Sequence, residues 1–309
     1  MFLFFLVFFL PLSLPSTYQP DYKRYHNYER FTQHIRRITA ENSAFATLSS
    51  DVQSNEGRPL SVLRLTNPHS KCRKVKMLLT FGEHARELVV VESFFDLVLY
   101  ILDGTKKPLR YNNVSSVSVD NRQAFFARFV LMHMDLHLVG LLNPDGKVRM
   151  EKSKDYCWRN NGKNVDLNRN SDWEFGGPGS SGDPKHEEYR GPRAFSEPES
   201  RLIKSLAELH RFDAYLSLHS GERQVFVPFV DTRSKAGKRR RPSTDWEVQL
   251  AQRIVGESGK WFRNSGIAYD MNDYSADGTL FDWMAGVANV STCLIVEGWG
   301  GPVHRDCFV

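Results

Sequence analysis

"VKMLLTFGEHARELVVVESFFDLVLYILDG", Val75 to Gly104, decides the fold. It begins as a short apolar run bounded by Gly82, the pattern of a buried strand. From Glu87 onward, about eighteen residues are apolar on nearly every face, too many for a strand. That segment predicts a buried helix stopped by Gly104. Between them lies a polar stretch, "GEHARE", with His84 and Glu87 three residues apart. A strand that passes through a polar turn into a buried helix is the repeating unit of α/β folds. In those folds functional groups gather where parallel strands end.

The same pattern recurs along the chain. "LSVLRLT" (60–66), "LHLVGLLNPDG" (136–146), "DAYLSLHSGE" (213–222) and "STCLIVEGWGG" (291–301) read as further strands, the second running into an Asn-Pro-Asp-Gly turn. Phe31, Ile35 and Ile38 fall at helical spacing in "YERFTQHIRRITAE" (28–41). "SEPESRLIKSLAELHRF" (196–212) opens with Ser196 as N-cap and Glu199 three residues on, a capping box. A last helix is expected over "DWEVQLAQRIVGESGKWFRN" (245–264). The prediction is one α/β domain: a central mixed, largely parallel twisted sheet with helices on both faces. A chain of 309 residues suits a single sizeable core.

Composition narrows the class. Hydrophobic residues make up 41 % and charged residues 25 %, as in a soluble globular chain. The net charge of +5 does not indicate a nucleic-acid binder, because six of the positive charges crowd into "TRSKAGKRRRP" (232–242). That stretch reads as a solvated loop. Residues 1–16, "MFLFFLVFFLPLSLPS", are apolar, too short for a comfortable membrane span, and fit a secretory signal. They lack the usual basic residues before the apolar run. Two sequons, Asn113-Val-Ser115 and Asn289-Val-Ser291, agree with secretion. The four cysteines, Cys72, Cys157, Cys293 and Cys307, have no close CxxC pair, which excludes a compact structural zinc cluster. In an oxidising compartment they could form two disulfides, with three possible connectivities.

His-x-x-Glu occurs three times, at His26/Glu29, His84/Glu87 and His219/Glu222, so the spacing alone decides nothing. Position does. His84, His219 and Glu297 each follow an apolar strand, in "MLLTFGEH", "AYLSLH" and "CLIVE". Strand ends can bring such groups into one crevice. A catalytic zinc takes three His or carboxylate ligands and keeps a fourth position open. His84 and Glu87 would be a short pair and His219 the distant third ligand, with Glu222 competing with Glu87. "WRNNGKNVDLNRN" concentrates Arg159, Asn168 and Arg169 with further asparagines. Guanidinium plus amide suits carboxylate recognition, although an Asn/Gly-rich turn with solvated arginines gives the same composition.

Taken together, "GEHARE", "CWRNNGKNVDLNRN", "SLHSGE", "YSADGTLFDW" and "LIVEGWGG" stand in the order and approximate spacing of the zinc metallocarboxypeptidases of the A/B and N/E types. The resemblance runs from about Tyr22 to the C-terminus. It implies that His84, Glu87 and His219 hold one zinc ion and that Glu297 is the general base. Arg159 would polarise the scissile carbonyl, Asn168 and Arg169 would grip the substrate's terminal carboxylate, and Tyr274 would close over it. Arg86 would be a secondary substrate contact. The implied protein is a secreted monomeric exopeptidase acting on peptide or protein C-termini, with no nucleic-acid partner and no stable membrane insertion. Residues 17–309 would form the catalytic domain.

The chain also departs from the family pattern. It passes from the leader almost directly to "YHNYERF", which resembles the N/E branch, as does the step from Arg159 to Arg169. Only twelve residues follow Glu297, so the domain is expected to be truncated at its C-terminal end. Phe281 stands where a basic-specific enzyme of the B type has Asp. In "VPFVD", Val230 replaces the acid of the N/E pattern and Asp231 follows it. An apolar or aromatic C-terminal residue is therefore the expected substrate, unless Asp231 turns inward. Two other functions use the same scaffold: a silent carboxylate-binding relative and an N-acyl or γ-glutamyl amino acid deacylase. The intact set of matched positions favours peptide hydrolysis.

Overall fold

A computed structural model describes residues 20–108 and 119–300. The leader, the Asn113 sequon and Cys307 lie outside the described residues. The predicted α/β architecture is present as a single mixed eight-stranded sheet. Its strands are β1 (Ala46–Gln53), β2 (Pro59–Leu65), β3 (Val75–Thr80), β4 (Met134–Val139), β5 (Ala214–Gly221), β6 (Gln224–Val227), β7 (Asn264–Ile267) and β8 (Thr292–Gly300). They lie in the order β1-β2-β4-β3-β5-β8-β6-β7. The central four, β4, β3, β5 and β8, are mutually parallel. β1, β2 and the β6–β8 junction add antiparallel pairing on either side.

Every residue of β4 is buried, and successive side chains point to opposite faces, so both faces of the sheet centre are covered. The helices are α1 (Tyr28–Glu41), α2 (Leu88–Lys106), α3 (Val119–His133), α4 (Pro144–Ser153), α5 (Pro198–His210), α6 (Thr232–Gly237), α7 (Thr244–Glu257), α8 (Ala268–Met271) and α9 (Leu280–Gly286). In α1, Phe31, Ile35 and Ile38 form the buried stripe that their spacing predicts. In α2 the burial is nearly all round, again as expected. Phe94 of α2 meets Phe81 edge-on at 5.5 Å and Phe31 at 5.9 Å, tying strand end, helix and N-terminal helix together.

Several expectations are corrected. Gly104 does not stop α2, which continues to Lys106; a Cβ at Gly104 would lie 2.6 Å from the Ala127 Cβ, so the glycine lets α3 approach. The Asn-Pro-Asp-Gly "turn" starts α4, with Asn143 accepting from the Gly146 N–H and Pro144 in the first turn. Ser196 is not the cap of α5. Glu197 holds that position without a capping bond from its side chain, and the Ser196 hydroxyl donates to Glu197 Oε1. The helix expected to Asn264 ends at Glu257, and the chain then enters the edge strand β7.

The basic stretch is not a solvated loop throughout. Asp231 caps α6, the Arg239 guanidinium lies 4.9 Å from the Trp173 ring centre, and Arg241 is largely covered beside Glu247. Two disulfides do not form: Cys157 is disulfide-bonded, whereas Cys72 and Cys293 are free. Asn289 of the second sequon is exposed. No helix among the described residues is long and apolar enough to cross a membrane.

Candidate metal and substrate site

The parallel strands β3, β5 and β8 end side by side, and three polar segments leave that edge. After β3 the chain turns at Gly82, whose φ of +61° puts it in the left-handed region. A Cβ there would press on Leu141 and Val91 at 3.0 and 3.1 Å. The turn delivers Glu83, His84 and Glu87 to the edge. His219 on β5 and Glu297 on β8 are register partners.

Glu87 sits between the two imidazoles. Its Oε1 is 2.6 Å from His84 Nδ1 and its Oε2 is 3.0 Å from His219 Nδ1. Among the described residues, His84, Glu87 and His219 form the group able to hold a metal, with donor atoms within 4.8 Å of one another. Glu222 lines the same space but is not one of that group, and its carboxylate accepts from Gln224 Nε2. The far ring nitrogens are fixed too. His84 Nε2 lies 3.2 Å from Asp166 Oδ1, and His219 Nε2 lies 2.8 Å from Ser217 Oγ and 3.3 Å from Glu83 Oε2. Both Nδ1 atoms therefore face inward with their rings held from behind, the arrangement by which outer partners orient metal-ligating histidines.

Electrostatics fit a cation. Burial pushes the Glu87 carboxyl up, but His84 and His219 outweigh it and hold the group well below the usual range. Burial also opposes charge on His219, yet Glu87 and Glu83 draw its pKa well above the ordinary value. Asp166 is 0 % exposed and stays ionised, because Arg159, Arg169 and His84 outweigh its burial. Two imidazoles and one carboxylate, backed by acids, make a donor set suited to zinc. Glu297 Oε2 is closed off from solvent and has no hydrogen-bond partner, so a polar ligand is needed there. Burial, followed by the nearby Glu87 charge, raises its carboxyl to about 7.

These groups open into a cavity of about 460 Å³ that is lined by His84, Arg86, Glu87, Arg159, Asn168, Arg169, His219, Tyr274 and Glu297. All nine residues singled out in the sequence thus meet in one space. Arg159 is braced by Asp166, with Nε and Nη2 each 2.9 Å from Oδ2. Asn168 and Arg169 occupy a single 3₁₀ turn, Leu167–Arg169, whose Asn168 N–H donates to Asp166 Oδ1. Tyr274 is 62 % exposed at the mouth. Arg86 pairs with Glu187 at 3.1 Å.

Sequence reasoning missed Asp166, Glu83 and Ser217, although each lies inside a quoted motif. Glu83 and Ser217 could have been found as polar residues at or near the end of an apolar strand, whereas Asp166 has no such local signal. The specificity expectations separate clearly. Phe281 is buried in α9 and does not line the cavity, whereas Val230 does. Asp231 does not turn inward: its carboxylate accepts from the Ser234 N–H and from Trp173 Nε1. Asp282 accepts the N–H groups of Val230 and Asp231, fixing this segment in place.

A family model described as zinc carboxypeptidase matches residues 31–302. The chain belongs to the zinc carboxypeptidase family. Members of this family use one zinc ion. Mouse carboxypeptidase A2 is 26 % identical over 281 residues, covering 85 % of this chain and 60 % of its own length. Bovine thrombin-activatable fibrinolysis inhibitor, solved with a tick carboxypeptidase inhibitor, superposes with a TM-score of 0.71 at 23 % identity, over 90 % of this chain and 87 % of that one. Carboxypeptidase A from Helicoverpa armigera gives 0.69 at 21 % identity, over 88 % and 64 %. The chain thus spans 60 % of the length of the mouse relative, and these solved structures share its fold.

Proposed function

We propose that this chain is a secreted zinc-dependent carboxypeptidase that removes single residues, preferentially apolar ones, from peptide C-termini. One observation carries the reading: the His84–Glu87–His219 triad, the unpartnered Glu297 oxygen and two braced arginines share one cavity. His84, Glu87 and His219 would hold the ion, which fits their donor set. Bound there, zinc supplies Lewis acidity that makes water nucleophilic near neutral pH.

The chain's own residues do the rest. Glu297, ionised, accepts the proton of the attacking water and returns it to the leaving amine. Arg159 presents a guanidinium held rigidly by Asp166, so it can stabilise a developing oxyanion without reorganising. Arg169 and Asn168 bind the terminal carboxylate. An internal peptide bond offers no carboxylate for that pair to bind, which favours exopeptidase action. Phe226, Val230, Ala268, Ala276 and Ile295 give the remaining wall an apolar lining, which supports an apolar terminal side chain. Secretion is supported by the apolar leader and by the disulfide-bonded Cys157.

The test is hydrolysis of blocked dipeptides with varied C-terminal residues, with and without a zinc chelator. Chelator-sensitive release of apolar C-terminal residues is expected. Turnover that survives chelation, or cleavage confined to amidated termini, defeats the reading.

A further inference from the structure

Arg169, the guanidinium read above as the carboxylate clamp, already holds a carboxylate of this chain. Its Nη2 donates to Glu188 Oε1 at 3.0 Å. Its Nε donates to the Gly179 carbonyl and its Nη1 to the Asn168 carbonyl, each at 2.8 Å. Two of the five guanidinium N–H groups are left, enough in number for an incoming carboxylate. The obstacle is charge rather than space.

Asp166 takes two N–H groups of Arg159 and lies 3.8 Å from Arg169 Nη1. Arg159, Arg169, Asp166 and Glu188 therefore form a cluster that is electrically balanced before any peptide arrives. A terminal carboxylate entering it brings an uncompensated negative charge beside an Arg169 side chain that is only 4 % exposed. One of the two resident acids must give way. Asp166 is 0 % exposed and cannot reach water, whereas Glu188 is 37 % exposed and can. The Glu188 backbone is tied at both ends, its N–H to His186 Nδ1 and its carbonyl to the Ser181 N–H. Rotation of the side chain is then enough to free the guanidinium. The two backbone carbonyls keep Arg169 oriented after Glu188 leaves.

We propose that Glu188 is an internal competitor for the substrate's terminal carboxylate. Peptide binding exchanges the Glu188 carboxylate on Arg169 for that of the peptide, so Glu188 sets the affinity for free C-termini and for other α-carboxylate ligands. This rests on the reading of Arg169 as the clamp.

The test compares the zinc-loaded full chain with Glu188→Ala and Glu188→Gln. The probe is a blocked dipeptide analogue whose last amide NH is replaced by CH2, used as the free acid and as the primary amide, with binding followed by calorimetry. Both variants should bind the acid more tightly than the wild type, by about five-fold for Ala, or about 1 kcal/mol. Affinity for the amide should not move. With cleavable peptides, the gain should appear as a lower KM rather than a higher kcat. Unchanged or weaker binding of the acid overturns the proposal, as does an equal gain for the amide, which would mean general loosening. If no variant hydrolyses peptides but the acid-selective gain is present, the hydrolase reading fails and the exchange at Arg169 stands. If peptides are cleaved and the gain is absent, the exchange fails alone.

Discussion

The two halves of the cavity are built differently. The metal-facing half, His84, Glu87 and His219 with Asp166, Glu83 and Ser217, is buried, and its rings are bonded at both nitrogens. The half proposed to face the peptide ends in Tyr274, 62 % exposed, and in Arg86 and Arg169, each paired to a partly exposed glutamate. The inner half gathers at the ends of β3 and β5, with Asp166 brought in by the turn that also carries Arg169; the two halves thus share backbone segments and differ in burial. Groups that need fixed geometry are buried and bonded from several sides, and recognition is placed where side chains can exchange partners. Substitutions inside should therefore cost far more than substitutions at the mouth.

The sharpest way to break that contrast is Glu297→Gln. It keeps the shape and removes the base, so kcat should fall by about 10²–10⁴. Zinc content, measured by metal analysis, should stay at one ion per chain. Retained turnover would remove Glu297 from the mechanism. The wild-type pH profile adds a second reading of the same group. Because burial raises the carboxyl to about 7, the base is lost by protonation as the pH falls through that value. A nearby dication draws the pKa down, so kcat/KM should show an acid limb at or below about pH 7, falling about tenfold per unit. A limb in the ordinary glutamate range would mean that the dication cancels the effect of burial on this group.

Asp166→Asn should come next. Asp166 joins His84 Nε2, the Arg159 fork and the Asn168 N–H, so it would link the metal site to the proposed oxyanion site. Replacing a charge-assisted acceptor with an amide should lower zinc affinity about 10–100-fold, read by competition with a chromophoric chelator. Unchanged affinity would show that the ring of His84 is held without it.

Asp166 also marks where the sequence became hard to read. The apolar strands were legible because parallel strands buried on both faces are nearly continuous hydrophobic runs, and His84, His219 and Glu297 could be placed at their ends. Asp166 matters through contacts with residues 82 positions upstream and 7 back, which no local pattern encodes. Glu83 meets His219 only because β3 and β5 pair in parallel. Arg239 and Arg241 read as solvated because the Trp173 ring and the Val290 carbonyl that receive them come from distant segments. Asn143 was misread for a local reason, since Asn-Pro-Asp-Gly serves equally as a turn and as a helix start. The strands β6 and β7, four residues each, are too short to show a period.

The smallest effect should come from the outermost residue. Tyr274→Phe removes one hydroxyl from a side chain that is 62 % exposed, so thermal stability should be unchanged within about 0.5 kcal/mol. If the hydroxyl closes over the terminal carboxylate, its loss forfeits one hydrogen bond, about 0.5–1.5 kcal/mol, and KM should rise by about three- to ten-fold while kcat holds. A fall in kcat as large as that of Glu297→Gln would place Tyr274 among the groups that act on the reacting atoms. The division between a buried, multiply bonded inner half and an exchangeable mouth would then fail at the residue where it is most exposed to test.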